Sequence, residues 1–292
     1  MAKARAIIKR RKAVINIRKI TRTMQLIATA RFQAAYSRAT RTRPYTERIT
    51  ELVRQLSRNQ SSLSHPLLKV NSESKRSRLI VITSNRGLCG GYNGSILRLA
   101  IEHLRAREAA GETVDIHAVG KRGISYLKFL GRTPAWTATH FEDKPQYAEV
   151  EPIASELIDA YERQQIDAVH VACMRFFSAG VQRPQVMQLL PIEPPQADAE
   201  AAAGAAAVQY DFSPPPAELL AELLPETVRV RLFQCFIDAA VSEQVARMVA
   251  MTSATDAAGD MIRTLTRHYN RARQSQITLE LLDIVSGAEA LR

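Results

Sequence analysis

The sequence predicts an α/β domain combined with two long terminal helices, the helices pairing as an antiparallel coiled coil. Three observations carry this. All twelve glycines lie after residue 86 and the first proline is Pro44, so helix breakers gather in the centre. Towards both ends, apolar residues recur at three- and four-residue steps. Between them, short apolar runs alternate with helical stretches, the pattern of a layered α/β fold.

Near the N-terminus, Ile17, Ile20, Met24, Ile27 and Ala28, then Ala34 and Ala35, form a helical stripe, and residues 1–60 read as one coiled-coil helix. Residues 78–83 (RLIVIT) read as a buried strand, followed by a Gly-rich turn and a helix to about Ala110. Thr113 to Val119 predicts a second strand and Lys121 to Leu130 a helix. A further helix near Ile153 to Gln164 precedes a strand at Ala168 to Cys173, and Val181 to Leu190 is a candidate last strand. Together residues 75–193 form a largely parallel α/β layer sandwich. Residues 194–216 (PPQADAEAAAGAAAVQYDFSPPP) are Pro/Ala-rich and read as a flexible connection.

Residues 217–292 are expected to form the second coiled-coil helix. From Glu226 onward there is no proline and only Gly259 and Gly287 interrupt. Ile237, Val241, Val245, Met248, Thr252, Thr255, Gly259, Ile262, Thr266 and Tyr269 alternate four- and three-residue steps, a narrow seam. Small and polar residues in that seam permit close approach but supply little hydrophobic adhesion. A helix of some 60 residues spans about 90 Å, roughly twice the width of a compact domain of this chain length. The C-terminal helix is therefore expected to protrude, with the N-terminal helix paired along it. Two or three shorter helices in a bundle are the alternative, against which stands the lack of turn signals after Pro225.

The chain has 292 residues, 46% hydrophobic and 24% charged, enough to bury a core. No apolar run approaches the roughly 20 residues a membrane helix needs, so a soluble protein that meets a membrane only through a partner is expected. Cys89, Cys173 and Cys235 are far apart with no CxxC and read as reduced thiols of a cytosolic compartment. Net charge is +11, yet residues 1–60 carry +14 and the remainder −3. A basic segment of this kind seeks an acidic partner: nucleic acid, anionic lipid or an acidic protein surface. An Arg-rich start also mimics a transit peptide, but the first serine is Ser37, and residue 1 is read as close to the mature start.

The turn TSNRGLCGGYN (83–93) follows a strand and precedes a helix, as a phosphate cradle would, but it has no GK[ST] and no GxGxxG. Gly87, Gly90 and Gly91 are read instead as a structural turn or a partner-facing loop. The six histidines have no metal-ligand spacing, and no GxSxG occurs. No catalytic, cofactor-binding or metal-binding residues are assigned. Glu142 and Asp143 read as ordinary surface charges.

Three stretches carry a resemblance. ITRTMQLIATARFQAAYSRATRTRPY (20–45), TSNRGLCGGYN (83–93), and SEQVARMVAMTSATDAAGD (242–260) with YNRARQSQITLELLDIVSGAEAL (269–291) are similar to the gamma subunit family of F-type ATP synthases, of bacterial type. The likeness covers most of the chain except 194–209, and the chain ends where that family does. The resemblance implies a Rossmann-like α/β domain beside the coiled coil. It also implies a rotor role in the central stalk, without catalysis: coupling ion flow through the membrane sector to ATP synthesis or hydrolysis on partner subunits. Implied partners are the hexameric ring of alpha and beta subunits, the epsilon subunit and the membrane c-ring. The implied location is peripheral, at the cytoplasmic face of the plasma membrane.

By the same likeness, Met24 and Arg247 sit where the shaft meets acidic loops of beta. Arg273, Gln274, Thr278 and Glu280 match the patch that engages the ring near its catalytic sites. Tyr210 and Phe212 are placed at the foot near epsilon and the c-ring. Departures exist: the chain has MQLIATAR where the family has a lysine-rich run, Ala257 where Asn is common, and Ser213 where an acid often precedes the foot proline. The redox cysteine pair of chloroplast members is not evident. The rival reading is a basic helical nucleic-acid-binding protein, which Phe32, Tyr36 and Tyr45, the only aromatics of residues 1–60, support poorly.

Overall fold

The computed structural model describes residues 2–58, 65–71, 74–192 and 215–289. Helix α1 spans Ala2–Arg58. The strands are β1 (Arg76–Ile82), β2 (Thr113–Val119), β3 (Trp136–Ala138), β4 (Ala168–Ser178) and β5 (Val181–Leu190). The remaining helices are α2 (Tyr92–Ala109), α3 (Lys121–Phe129), α4 (Tyr147–Glu162) and α5 (Pro216–Glu289). The chain divides into two compact units, Arg31–Ala246 and the pair Met1–Ala30 with Arg247–Arg292. No helix among the described residues is long and apolar enough to cross a membrane.

In the Arg31–Ala246 unit the sheet order is β3-β2-β1-β4-β5. Strands β1 to β4 run parallel, and β5 returns antiparallel to β4. This is a Rossmann-like α/β layer with a hairpin at one edge. The run in β1 is continuously apolar because both faces are covered. Leu79 and Val81 pack with Ile96, Leu104 and Leu127 of α2 and α3. Ile80 and Ile82 turn the other way, onto Leu157 and Tyr161 of α4 and Leu224, Val228 and Phe236 of α5. Beside that core, Ala35 and Ala39 of α1 meet Ile237 and Val241 of α5 and Phe176 of β4. Alanines there let the helix backbones approach closely.

Strands β2 and β5 fall where the sequence pattern placed them, while three elements differ. Helix α4 begins at Tyr147, ahead of Pro152, because the Gln146 backbone N–H donates to Glu149 Oε2 at 2.9 Å and fixes an earlier start. β4 runs on to Ser178 because its end pairs with β5 rather than with the parallel strands. β3 was not expected, being only three residues long. Residues 194–214 of the Pro/Ala-rich stretch, with Tyr210 and Phe212, lie outside the described residues.

In the other unit the two helices are antiparallel, since Thr21 meets Thr255 while Arg11 lies over the Tyr269 ring. The seam differs from the one the hydrophobic pattern favoured. Val14 and Ala28 are buried, with Ile7 and Thr21 partly so, whereas Ile17, Ile20 and Ile27 are exposed. On the partner helix Met251, Thr255, Ala258 and Leu265 are buried, while Thr252, Gly259 and Thr266 stand beside the seam. The inward stripe on α1, at 7, 14, 21 and 28, is a strict seven-residue repeat of β-branched and small side chains. Periodicity weighted by hydrophobicity selects the isoleucines; packing selects residues that fit a close helix pair.

Candidate functional site

The helix-pair unit presents a surface that is both basic and apolar. No acid occurs in the chain before Glu47, so the α1 side carries only cations. Between them stand Ile8, Ile17, Ile20, Leu26 and Ile27, all exposed. The α5 side is more apolar still: Ile277, Leu279, Leu281, Leu282, Ile284 and Val285 are 46–68% exposed. Apolar side chains massed in this way on water-facing helices mark a surface made to be covered.

The residues singled out by resemblance divide by position. Arg273, Gln274, Thr278 and Glu280 are exposed on α5 near that apolar run. Glu280 accepts from Gln276 Nε2 at 2.8 Å, and Thr278 Oγ1 donates back to the Gln274 carbonyl at 3.0 Å, so both side chains are oriented along the helix. Arg273 and Glu280 line a shallow groove with Arg5, Ile8, Tyr269 and Ile277. Met24 is partly exposed on α1, and Arg247 is 6% exposed.

Within the α/β unit, the turn after β1 is held from inside. Ser84 N–H donates to Asn93 Oδ1 at 3.0 Å, and Asn93 Nδ2 reaches Ser84 Oγ and Cys89 Sγ at 2.8 and 3.2 Å. Asn85 Nδ2 donates to the carbonyls of Thr139 and Phe141 and its Oδ1 accepts from Lys121 N–H. Gly90 adopts φ of 57°, the left-handed conformation glycine favours. Gly91 caps α2 at φ −81°, and a side chain there would meet only Ser95 at 3.8 Å. The tighter constraint is Gly120, which the sequence reading missed: φ is 93°, and a Cβ would fall 2.2 Å from the Thr83 carbonyl oxygen.

Asp143 is not an ordinary surface charge. Its carboxylate accepts from Arg31 of α1 at 2.5 Å, from Arg86 of the turn at 2.6 Å and from Gln244 Nε2 of α5 at 2.7 Å. Its carbonyl also accepts from Arg38 at 3.3 Å. Tyr92 adds a buried hydrogen bond from the start of α2 to the Ala239 carbonyl of α5, at 3.1 Å. One carboxylate thus ties α1, α5 and the β1 turn together inside this unit. The contributing residues lie 101 and 112 positions from Asp143 in the case of the helices, so no local pattern marks them. The only clue in the sequence was Arg31 itself, a departure from the family run.

The helix pair carries an uncovered apolar and basic surface, the kind of surface that marks a protein-interaction site. The comparisons identify the family. Residues 3–291 match the family model described as ATP synthase. The ATP synthase gamma chain of Rhodopirellula baltica is 45% identical over 294 residues, covering 100% of this chain and 99% of the relative. That of Leptospira biflexa is 35% identical over 291 residues, covering 100% of each. Two chains from structures of the Euglena gracilis mitochondrial ATP synthase share the fold. One, from the rotor, has a TM-score of 0.62 at 16% identity and covers 94% of this chain and 99% of its own. The other, from the OSCP/F1/c-ring assembly, has a TM-score of 0.65 at 17% identity and covers 99% and 95%. The chain belongs to the ATP synthase gamma chain family.

Proposed function

We propose that this chain is the rotating shaft of its complex and catalyses no ATP chemistry itself. Its helix pair turns inside a ring of alpha and beta subunits, and its α/β unit engages the epsilon subunit and a membrane c-ring. Rotation driven by ion flow through the membrane sector is converted to ATP synthesis on the ring, and hydrolysis drives the reverse. The complex places the chain peripherally, at the cytoplasmic face of the plasma membrane.

The observation that carries this reading is the exposed apolar run from Ile277 to Val285 on α5. Each such side chain gains about 1.5–3 kcal/mol when fully buried, so the run is costly in water and favourable inside a protein sleeve. The cations of α1 suit acidic loops lining that sleeve, with Met24 and Arg247 near them and Arg273, Gln274, Thr278 and Glu280 towards the catalytic subunits. A shaft must also pass torque between helices and globular unit, and the Asp143 junction is built for that load. Tyr210 and Phe212 are assigned to the foot.

Reconstitution with alpha and beta subunits of the same source tests the reading. The expected result is a complex with one copy per hexamer whose ATP hydrolysis falls when α5 is cut after Arg271. Failure to enter the hexamer, with tight DNA binding at physiological salt, would replace it with the nucleic-acid reading.

A further inference from the structure

Three sulfur atoms meet beneath the β4–β5 hairpin. In the antiparallel register Cys173 of β4 stands opposite Gln185 of β5, and Met187 follows two residues on, so all three side chains leave the same face of the sheet. Helix α5 packs on that face and delivers Cys235, whose Sγ lies 3.2 Å from Met187 Sδ. Cys173 lies close enough to Cys235 to raise its pKa. Both cysteines and Met187 line a cavity of about 430 Å³ that Arg43, Arg175 and Asp238 also border. Both cysteines are free thiols, and Cys89, the third, sits apart in the turn after β1.

We propose that Cys173, Cys235 and Met187 form a binding site for a soft monovalent cation, copper(I) or its chemical equivalent silver(I), held by two thiolates and a thioether. The donor set decides the class of ion. Thiolate and thioether sulfur in a three-donor set suit copper(I) and silver(I), whereas zinc in a structural site takes four protein ligands and calcium and magnesium take oxygen. No group of three His, Cys, Asp or Glu able to hold a metal occurs among the described residues, so harder ions find no complete set. Binding releases both thiol protons to solvent and changes no oxidation state. One cation and two thiolates leave a single negative charge, in a cavity bordered by Arg43, Arg175 and Arg231 as well as by Glu47, Glu51 and Asp238. Cys235 is otherwise quiet: the neighbouring Cys173 and burial push its thiol well up, which disfavours alkylation and oxidation. A soft cation overcomes that because its thiolate affinity replaces the proton. The cavity provides the entry path, and the bound ion would pin α5 to the hairpin.

The test is competition for copper(I) between the reduced full-length chain and a chromogenic copper(I) chelator, without oxygen. One equivalent should be withdrawn from the chelator. Cys173→Ser and Cys235→Ser should each weaken this by about 100-fold and Met187→Leu by about 10-fold, while Cys89→Ser leaves it unchanged. One equivalent of silver(I) should raise the thermal midpoint of the wild-type chain and not that of Cys235→Ser. Should the serine variants fail to fold, the sulfur-only coordination shell of the wild-type copper(I) complex, read by X-ray absorption, and the Met187→Leu affinity decide. Failure of the wild-type chain to compete, equal affinity in Met187→Leu, or loss of binding in Cys89→Ser overturns the site.

Discussion

The two units solve the problem of burying apolar surface in opposite ways. In the Arg31–Ala246 unit the sheet is covered on both faces, and side chains such as Leu157, Tyr161, Leu79 and Leu104 are essentially inaccessible. In the helix-pair unit five buried hydrophobic residues stand against thirteen exposed large ones, counted among the described residues. Its seam even contains a hydrogen bond, Thr255 Oγ1 to Thr21 Oγ1 at 2.8 Å. The first unit derives its shape from its own core. The second relies on helix formation and leaves its adhesive surface for something else, as a shaft inside a sleeve must.

That contrast can be broken at several points. The largest stability effect belongs to the α/β core: Leu157→Ala removes a fully buried side chain and should cost about 3 kcal/mol in urea unfolding. A loss below 1 kcal/mol would mean that the core repacks freely. Next comes Asp143→Ala, which strips an acceptor from Arg31, Arg86 and Gln244 at once. The cations are partly exposed, so the loss should be about 2 kcal/mol, reduced further by salt. In the reconstituted complex it should lower ATP-driven rotation more than hexamer assembly. Unimpaired rotation would remove Asp143 from the torque path.

A smaller effect depends on pH. His170 is buried against His103, with its Nε2 2.9 Å from an Arg107 nitrogen. Burial first, then the charges of His103 and Arg107, push its pKa down to about 3 from 6.5. The folded state therefore holds His170 neutral where the unfolded chain protonates it. This contribution to stability is complete above pH 6.5 and is lost as pH falls from there towards about 3. Between pH 6.5 and 5.5 the wild type should lose about 1 kcal/mol that His170→Gln does not. Parallel pH profiles of the two proteins would refute this. The smallest effect on the free chain is expected at the surface: Leu281→Ser, on a side chain 57% exposed, should change stability by less than about 0.5 kcal/mol. The same change should weaken hexamer binding, and a free-chain loss above 1 kcal/mol would show the run already packed.

How much of this could be read in advance depended on the range of the signal. β2 and β5 were legible because strand propensity and flanking turn residues act within a few positions. β3 was not, since WTA is too short to carry a period and exists only through pairing with β2. On α1 the inward stripe was misjudged in part, for a different reason, while Val241, Val245 and Thr255 of the expected α5 seam are buried. Ile17, Ile20 and Ile27 are the more hydrophobic stripe, but hydrophobicity does not say whether a residue is destined for its own chain or for another. Arg273 and Glu280 were singled out through family likeness alone, and the structure shows both exposed. Asp143 was passed over as one charge among many.

The sequence alone determined the long terminal helices, every strand of the central sheet but β3, and the concentration of charge at one end. Each of these is set by local spacing or composition. Only the tertiary structure decided which helix stripe faces inward, that Asp143 joins three elements, and that Cys173, Met187 and Cys235 share one pocket. Such groupings arise when segments dozens to more than a hundred residues apart are brought within hydrogen-bond range, as in the 112-residue separation of Arg31 and Asp143. Periodicity specifies the elements; the docking of those elements specifies the site.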